Sequence, residues 1–267
     1  LGTLTFVGLG LHSERGITLA GLDRLKRADV IYVETYTNLM PGLKLSKLEA
    51  LIGKKITKLN RENLEEFCEQ NVLKDAKKLD VVLLVPGDPM TATTHIDLRL
   101  RAQRIGVKTE VIHGVSIISA ASGISGLQVY KFGKTVTIPF PSDIYKPETP
   151  YDVIKENWVR GLHSLVLLDI NAEVKRYMTI KEGLDYLLSI EDERRENVVT
   201  LKKLAVGVAR VGSSKPTVRA DSVQRILELN FGKPPHTLIF PGKLHFMEAE
   251  ALKKFAFAPQ EALSDYL

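Results

Sequence analysis

The amino-acid sequence predicts an α/β protein built as two α/β domains in sequence, residues 1–130 and 131–267. Three observations carry that expectation. Short β-type runs alternate with helical periodicity, a rhythm that argues for a parallel sheet with helices on both faces. One run, VVLLV at 81–85, is apolar at every position, as expected of a strand covered on both sides. A stretch from 136 to 150 holding Pro139, Pro141, Pro147 and Pro150 cannot be a central strand or helix throughout. The rhythm resumes beyond it, so the join is placed near residues 125–135.

The elements follow in order. TLTFVG (3–8) is a first strand, and ITLAGLDRLKRAD (17–29) sets Leu19, Leu22 and Leu25 on one helical face. VIYV (30–33) is a strand, and LSKLEALIG (45–53) is a helix closed by Gly53. NLEEFCEQNVLKDAKKL (63–79) places Leu64, Phe67, Val72, Leu73, Ala76 and Leu79 on a single stripe, which predicts one long helix. After VVLLV, a helix over 94–104 stopped by Gly106 leads to the strand VKTEVI (107–112). In the second half SLVLLDI (164–170), LAVGVARV (204–211) and HTLIFPG (236–242) are strands. Thr179 and Glu182 form a capping box that opens a helix to about Glu193, Asp221 caps SVQRILELNF, and HFMEAEALKKFAF begins a last helix. Trp158, Val159 and Leu162 are assigned to the second core, and Cys68 to an apolar helix face as a small hydrophobe.

Composition bounds the function. With 44% apolar and 26% charged residues over 267 positions, the chain has an ordinary globular profile. No apolar run approaches the roughly 18 residues of a membrane helix, and LGTLTFVGLG reads as a strand rather than a signal peptide. The single cysteine excludes an intrachain disulfide and disfavours a thiolate metal site, so a reducing cytoplasm fits best. The formal charge of +5 is spread along helices, which argues for a solvated surface and against a nucleic-acid patch. The six histidines show no H-x-x-x-H pair, and no metal site is expected.

Ligands of open parallel sheets bind beyond the carboxyl ends of strands. Three loops at such ends have unusual composition: GLGLHS (8–13), PGDPMTATTH (86–95) and HGVSIISAAS (113–122). Gly8 and Gly10 permit close approach to the backbone, although a tight turn alone would also use them. Pro86 and Pro89 brace Asp88, whose carboxylate suits an ammonium or hydroxyl group; from residue type alone, capping the following helix is the commoner job for Asp. Ser116, Ser119, Ala120, Ala121 and Ser122 open a helix with small, hydroxyl-bearing residues. A nicotinamide cofactor is the rival reading, since Glu34 ends the second strand as a ribose-binding acid would. Ser13 stands where G-x-G-x-x-G needs its third glycine, which counts against it, and no P-loop is present.

Together, the stretches GLGL, PGDPMTATTH, HGVSI, YKFGKT, YDVIKEN, GLHSLVLLDI, ARVGS, PTVRAD and FGKPPHTLIFPGKLHFMEAEAL strongly resemble the tetrapyrrole methylase class of S-adenosylmethionine-dependent methyltransferases. The resemblance runs from residue 4 to beyond 252 and is to the archaeal branch that methylates a modified histidine of translation elongation factor two. It implies a tetrapyrrole methylase-like fold of two α/β domains with the cofactor in the cleft between them. It implies cofactor contacts at Leu11, Asp88, Thr91, Ser116, Ile117, Leu168, Val211 and His236, with backbone contacts favoured at Thr91 and Val211. Gly114 and Val115 look variable by the same resemblance. The implied reaction methylates the amino nitrogen of a 3-amino-3-carboxypropyl-histidine, giving diphthine for diphthamide, and the implied assembly is a homodimer. A proton acceptor is not identified; His12, Thr94 and His95 lie in the right loops. The alternatives are methylation of a tetrapyrrole ring carbon, a non-enzymatic cofactor-sensing module, and a nicotinamide oxidoreductase.

Overall fold

The alternation in the first part of the chain resolves into a five-stranded sheet that is parallel throughout, in the order β3-β2-β4-β1-β5. Its strands are β1 (Thr3–Gly8), β2 (Val30–Glu34), β3 (Thr57–Leu59), β4 (Asp80–Val85) and β5 (Lys108–Ile112). The helices are α1 (Leu19–Arg27), α2 (Leu45–Ile52), α3 (Arg61–Glu65), α4 (Val72–Ala76), α5 (His95–Arg104) and α6 (Ile117–Ser125). The structure is a computed structural model that describes residues 2–142 and 144–267. Val81, Leu83 and Val85 join one buried cluster, and Val82 and Leu84 join another on the opposite face. The unbroken apolar run is therefore a central strand buried on both sides, as its composition requires.

The second sheet is mixed, in the order β11-β10-β12-β7-β6. Its strands are β6 (Val136–Ile138), β7 (Ser164–Leu168), β10 (Leu204–Ala209), β11 (Thr217–Ser222) and β12 (His236–Phe240). Two-residue strands β8 (Ile170–Asn171) and β9 (Arg176–Tyr177) form a separate ribbon. All pairings within the second sheet are antiparallel except β6 with β7. Helices α7 (Thr149–Val159), α8 (Ile180–Arg194), α9 (Val223–Glu228), α10 (Phe246–Phe255) and α11 (Gln260–Leu263) complete this part. The chain divides into two compact units, Leu1–Ile117 with Ala172–Lys175, and Ile118–Asn171 with Arg176–Leu267. The sequence alone places the line at 130/131, so all of α6 but its first residue falls here in the second unit.

Several local expectations change. The long helix over 63–79 is two short ones, α3 and α4, separated by a turn at 66–71. Asn71 donates its side-chain amide to the Phe67 carbonyl, competing with the helical ladder. The stripe survives in part: Leu64, Val72, Leu73 and Ala76 are buried, whereas Phe67 and Leu79 are exposed, and Cys68 is buried in the turn and not on a helix face. Leu19 is exposed, because α1 begins there and turns only Gly21 and Leu25 fully inward. Asp221 does not cap a helix; it belongs to β11, and Ser222 accepts the Arg225 N–H as the cap. Trp158 and Val159 lie outside the second core at the end of α7, with the Lys203 ammonium 3.8 Å from the indole ring centre. The capping box at Thr179 and Glu182 forms as expected.

Candidate functional site

β1, β4 and β5 are neighbours, so their three following loops meet at one end of the first sheet. The meeting is backbone against backbone. Gly10 and Gly87 exchange N–H···O bonds of 3.2 and 2.7 Å, each with φ in the left-handed region, at 74° and 72°. A Cβ on Gly8 would lie 2.5 Å from the Gly114 nitrogen, and one on Gly114 would lie 2.3 Å from the Gly87 carbonyl oxygen. No side chain fits at those distances, so glycine is a packing requirement at both positions. The variability expected of Gly114 therefore does not suit this structure.

Asp88 ties the same loops together. It is 7% exposed. Its Oδ1 accepts from the Met90 N–H at 2.9 Å, an Asx-type turn, and from the Thr91 hydroxyl at 3.1 Å. Its Oδ2 accepts from the Gly114 N–H at 3.3 Å and lies 2.7 Å from His113 Nδ1. Burial pushes this carboxyl up, but the Met90 N–H, His113, Thr91 and the Gly114 N–H outweigh it and hold it below the ordinary carboxylate value. Asp88 is thus held, as expected, and by four groups of its own chain. His113, at a strand end where a hydrogen-bonded structural histidine is the expected reading, is such a residue, and its partner, which the sequence does not name, is Asp88.

Further along, Thr93 donates to the Pro89 carbonyl at 3.1 Å, and His95 Nδ1 lies 3.2 Å from the same oxygen. That carbonyl can only accept, so the His95 proton sits on Nδ1 and Nε2 presents a lone pair. Nε2 is buried and has no partner, and burial holds the ring below its ordinary value despite the carbonyl. His12 also carries a buried, unpartnered Nδ1. Leu11 is buried in the first loop, Ser116 is half-buried just before α6, and Ile117 is that helix's first residue.

Glu34 decides against the nicotinamide reading. It is completely buried at the end of β2, and its carboxylate accepts the N–H groups of Tyr36 and Thr37 and the Thr37 hydroxyl. Burial raises its carboxyl above the ordinary value. A side chain so engaged does not reach a ribose.

In the second unit, register gathers the other expected residues. Ala209 pairs with His236 and Leu167 with Thr237, so Leu168, Val211 and His236 lie at one end of the sheet. His236 Nδ1 accepts the Ile180 N–H at 3.3 Å, which puts the ring proton on Nε2, a buried donor with no partner. Burial, then the Arg210 charge, lowers this histidine from its ordinary value. Arg210 itself, at φ 54°, clamps the Phe231 and Lys233 carbonyls and the Thr217 hydroxyl, fixing the loop that carries Val211.

These two constellations sit in a chain whose residues 3–218 match the family described as Tetrapyrrole (Corrin/Porphyrin) Methylases. The chain belongs to that family and is a methyltransferase. It is 49% identical to the diphthine synthase of Methanosarcina barkeri, covering 96% of this chain and 97% of that one. It is 48% identical to the diphthine synthase of Methanothermobacter thermautotrophicus, covering 96% and 97%. A crystal structure of diphthine synthase superposes with a TM-score of 0.90 at 39% identity, covering 99% of this chain and all of that one. Within the family, the chain groups with the diphthine synthases.

Proposed function

We propose that the chain transfers methyl groups from S-adenosyl-L-methionine to the amino nitrogen of a 3-amino-3-carboxypropyl-histidine on translation elongation factor two, giving diphthine in diphthamide biosynthesis. The observation that carries this reading is near full-length similarity to diphthine synthases. The same similarity disfavours methylation of a tetrapyrrole ring carbon. The proposal extends to a cytoplasmic homodimer that acts on neither nucleic acid nor membrane. Among the described residues, no helix is long and apolar enough to cross a bilayer.

The residues present fit such a cofactor. His236 offers a buried N–H with no internal partner, which suits a ring nitrogen or carboxylate. In the first unit Leu11, Asp88, Thr91, Ser116 and Ile117 would hold it; in the second, Leu168, Val211 and His236. The cofactor supplies a methyl activated on a sulfonium, so a neutral amine needs alignment more than a strong base. The glycine junction and the Asp88 hydrogen bonds serve that need by fixing three loops before any ligand arrives.

Two measurements test the reading. S-adenosylhomocysteine should raise the melting temperature and NAD should not, because a ligand specific for the folded state stabilises it by mass action. Mass spectrometry should show methyl addition to elongation factor two carrying the aminocarboxypropyl-histidine. Free histidine, the unmodified factor and a tetrapyrrole should stay unmodified. Methylation of the unmodified factor, or of uroporphyrinogen, would overturn the substrate while leaving the family in place.

A further inference from the structure

Beside the Asp88 loops, α3, α5 and the end of β2 enclose a cavity of about 310 Å³ lined by Tyr36, Leu64, Glu65, Thr94, His95, Asp97 and Leu98. Tyr36, Leu64, His95 and Leu98 are buried, while Glu65, Thr94 and Asp97 are exposed, so the space has an inner wall and an outer rim. Two of the inner residues carry a buried polar atom without any partner, the Tyr36 hydroxyl and His95 Nε2. Buried polar atoms are almost always paired, because an unpaired one gives up its bonds to water and gains nothing in return. Finding two in the walls of one cavity points to a group that enters it.

The chemistry of the walls selects that group. His95 Nε2 is a fixed acceptor, since its Nδ1 proton is committed to the Pro89 carbonyl. The Tyr36 phenol is a donor, kept protonated by burial and by the charges of Glu34 and Glu65. Leu64, Leu98 and the tyrosine ring supply apolar faces. A flat, neutral ring with one N–H and one bare nitrogen complements this set. An ammonium group does not, because both rim acids are already paired: Glu65 with Arg61 at 3.6 Å, and Asp97 with Arg101 at 3.7 Å. A metal is also a poor match, for among the described residues no three His, Cys, Asp or Glu side chains gather to hold one. The volume is at the small end for ligand pockets and far too small for a tetrapyrrole.

We infer that this cavity is the subsite for the imidazole ring of the methyl acceptor, with His95 Nε2 accepting from the ring N–H and the Tyr36 hydroxyl donating to its other nitrogen. The inference rests on the proposed function for the identity of the ring's owner. It places both residues as positioning groups for the acceptor, Tyr36 in the loop after β2 and His95 at the first position of α5, which follows the loop that carries Asp88.

The test uses the whole protein and 2-methylimidazole, at a pH well above the probe's own pKa so that it is neutral. Side-chain nitrogen NMR should show the His95 Nε2 resonance moving saturably as the probe is added, with methylammonium and toluene leaving it in place. Tyr36→Phe should weaken probe binding roughly two- to tenfold, the worth of one neutral hydrogen bond. In methyl transfer to the modified factor, Tyr36→Phe should raise KM by a similar factor while the affinity for S-adenosylhomocysteine stays the same. A probe that leaves His95 unmoved, or binds Tyr36→Phe as well as wild type, overturns the subsite. So does a response to methylammonium alone. Failure of wild type to methylate the factor would strike the proposed substrate, whereas transfer without probe binding would strike the cavity only.

Discussion

Asp88 in the first unit and Glu248 in the second are the same device in different settings. Each is a buried carboxylate that gathers four donors, and each is held below its ordinary value although burial pushes it up. For Glu248 the backbone N–H of His245, Lys131, the backbone N–H of Gln128 and His163 hold it down, to about 2. Its partners are internal: His163 Nε2 at 2.9 Å is completely buried, and the Gln128 and His245 N–H groups lie at 2.9 and 2.8 Å. Asp88 instead counts among its donors His113, whose side chain is 74% exposed. A buried carboxylate collecting N–H groups is therefore a folding device in both places. What distinguishes Asp88 is its position, at loops that leave the carboxyl ends of parallel strands.

Substitution should separate the two roles, and the largest effect belongs to Glu248. Glu248→Ala leaves Lys131, His163 and two backbone N–H groups facing a buried gap. Loss of one member of a buried charged cluster costs about 3–5 kcal/mol. Chemical denaturation should show that loss, and the molecules that remain folded should bind S-adenosylhomocysteine with wild-type affinity. A loss below about 1 kcal/mol, or a cofactor defect in the folded fraction, would break the comparison.

Next is the glycine junction. Gly114→Ala forces a methyl group to 2.3 Å from the Gly87 oxygen, which is backbone and has no flexible end to swing aside. Overpacking of this kind costs about 1–3 kcal/mol. It should also weaken S-adenosylhomocysteine, since the loops of β1, β4 and β5 must part. An alanine at 114 that left both stability and affinity unchanged would remove the junction from the argument.

Asp88→Ala should act mainly on the site. Calorimetry should find cofactor affinity weakened by about 1.5–3 kcal/mol, the range for a lost hydrogen bond to a charged group. Some loss of melting temperature is also expected, because four internal hydrogen bonds go with the carboxylate. Normal affinity with a much lower melting temperature would make Asp88 the counterpart of Glu248 and nothing more.

Much of this contrast was legible in the sequence, and the rest was hidden for identifiable reasons. VVLLV announced its burial because a strand covered on both faces has no polar positions. The braced PGDP turn announced a held carboxylate, but not its holders, since His113 and Gly114 lie 25 and 26 residues away in sequence. Residues 217–222 read TVRADS, too polar to suggest a strand; β11 forms because β10 offers it an antiparallel partner. The stripe over 63–79 told that Leu64, Val72, Leu73 and Ala76 face inward; it could not tell that a turn divides them, and so it misplaced Phe67 and Leu79, which are exposed. Leu168, Val211 and His236 came from resemblance alone, and only register brings them to one end of a sheet. Of the Tyr36–His95 cavity the sequence showed only Thr94 and His95 in a site loop; Tyr36 and the unpaired atoms had no signal, because an unpaired atom is a property of three-dimensional packing.

The smallest expected effect is a pH dependence that probes the Glu248 side alone. His163 accepts the Gly242 N–H on Nδ1 at 2.9 Å and bonds Glu248 through Nε2, an arrangement that needs the neutral ring. Burial lowers this histidine from its ordinary 6.5, against the raising pull of Glu248 and with a further push from Lys131. A folded value below the unfolded one means that the unfolded chain binds the proton more readily. The stability this group contributes is therefore complete above about 6.5 and is lost as the pH falls below it, by at most about 1.4 kcal/mol per pH unit. Glu248 adds an acid-labile contribution of the same sign only lower down, from its ordinary 4.5 toward about 2. His95 and His236 are lowered by burial as well and slope the same way. The informative quantity is thus the difference between wild type and His163→Gln in denaturant melts from neutral pH down to the start of the carboxylate range. The variant should be the less stable protein at neutral pH and should lose less on acidification. Parallel curves would assign the acid sensitivity to His95, at the start of α5, and His236, at the start of β12, and would leave the Glu248 cluster without a part in it.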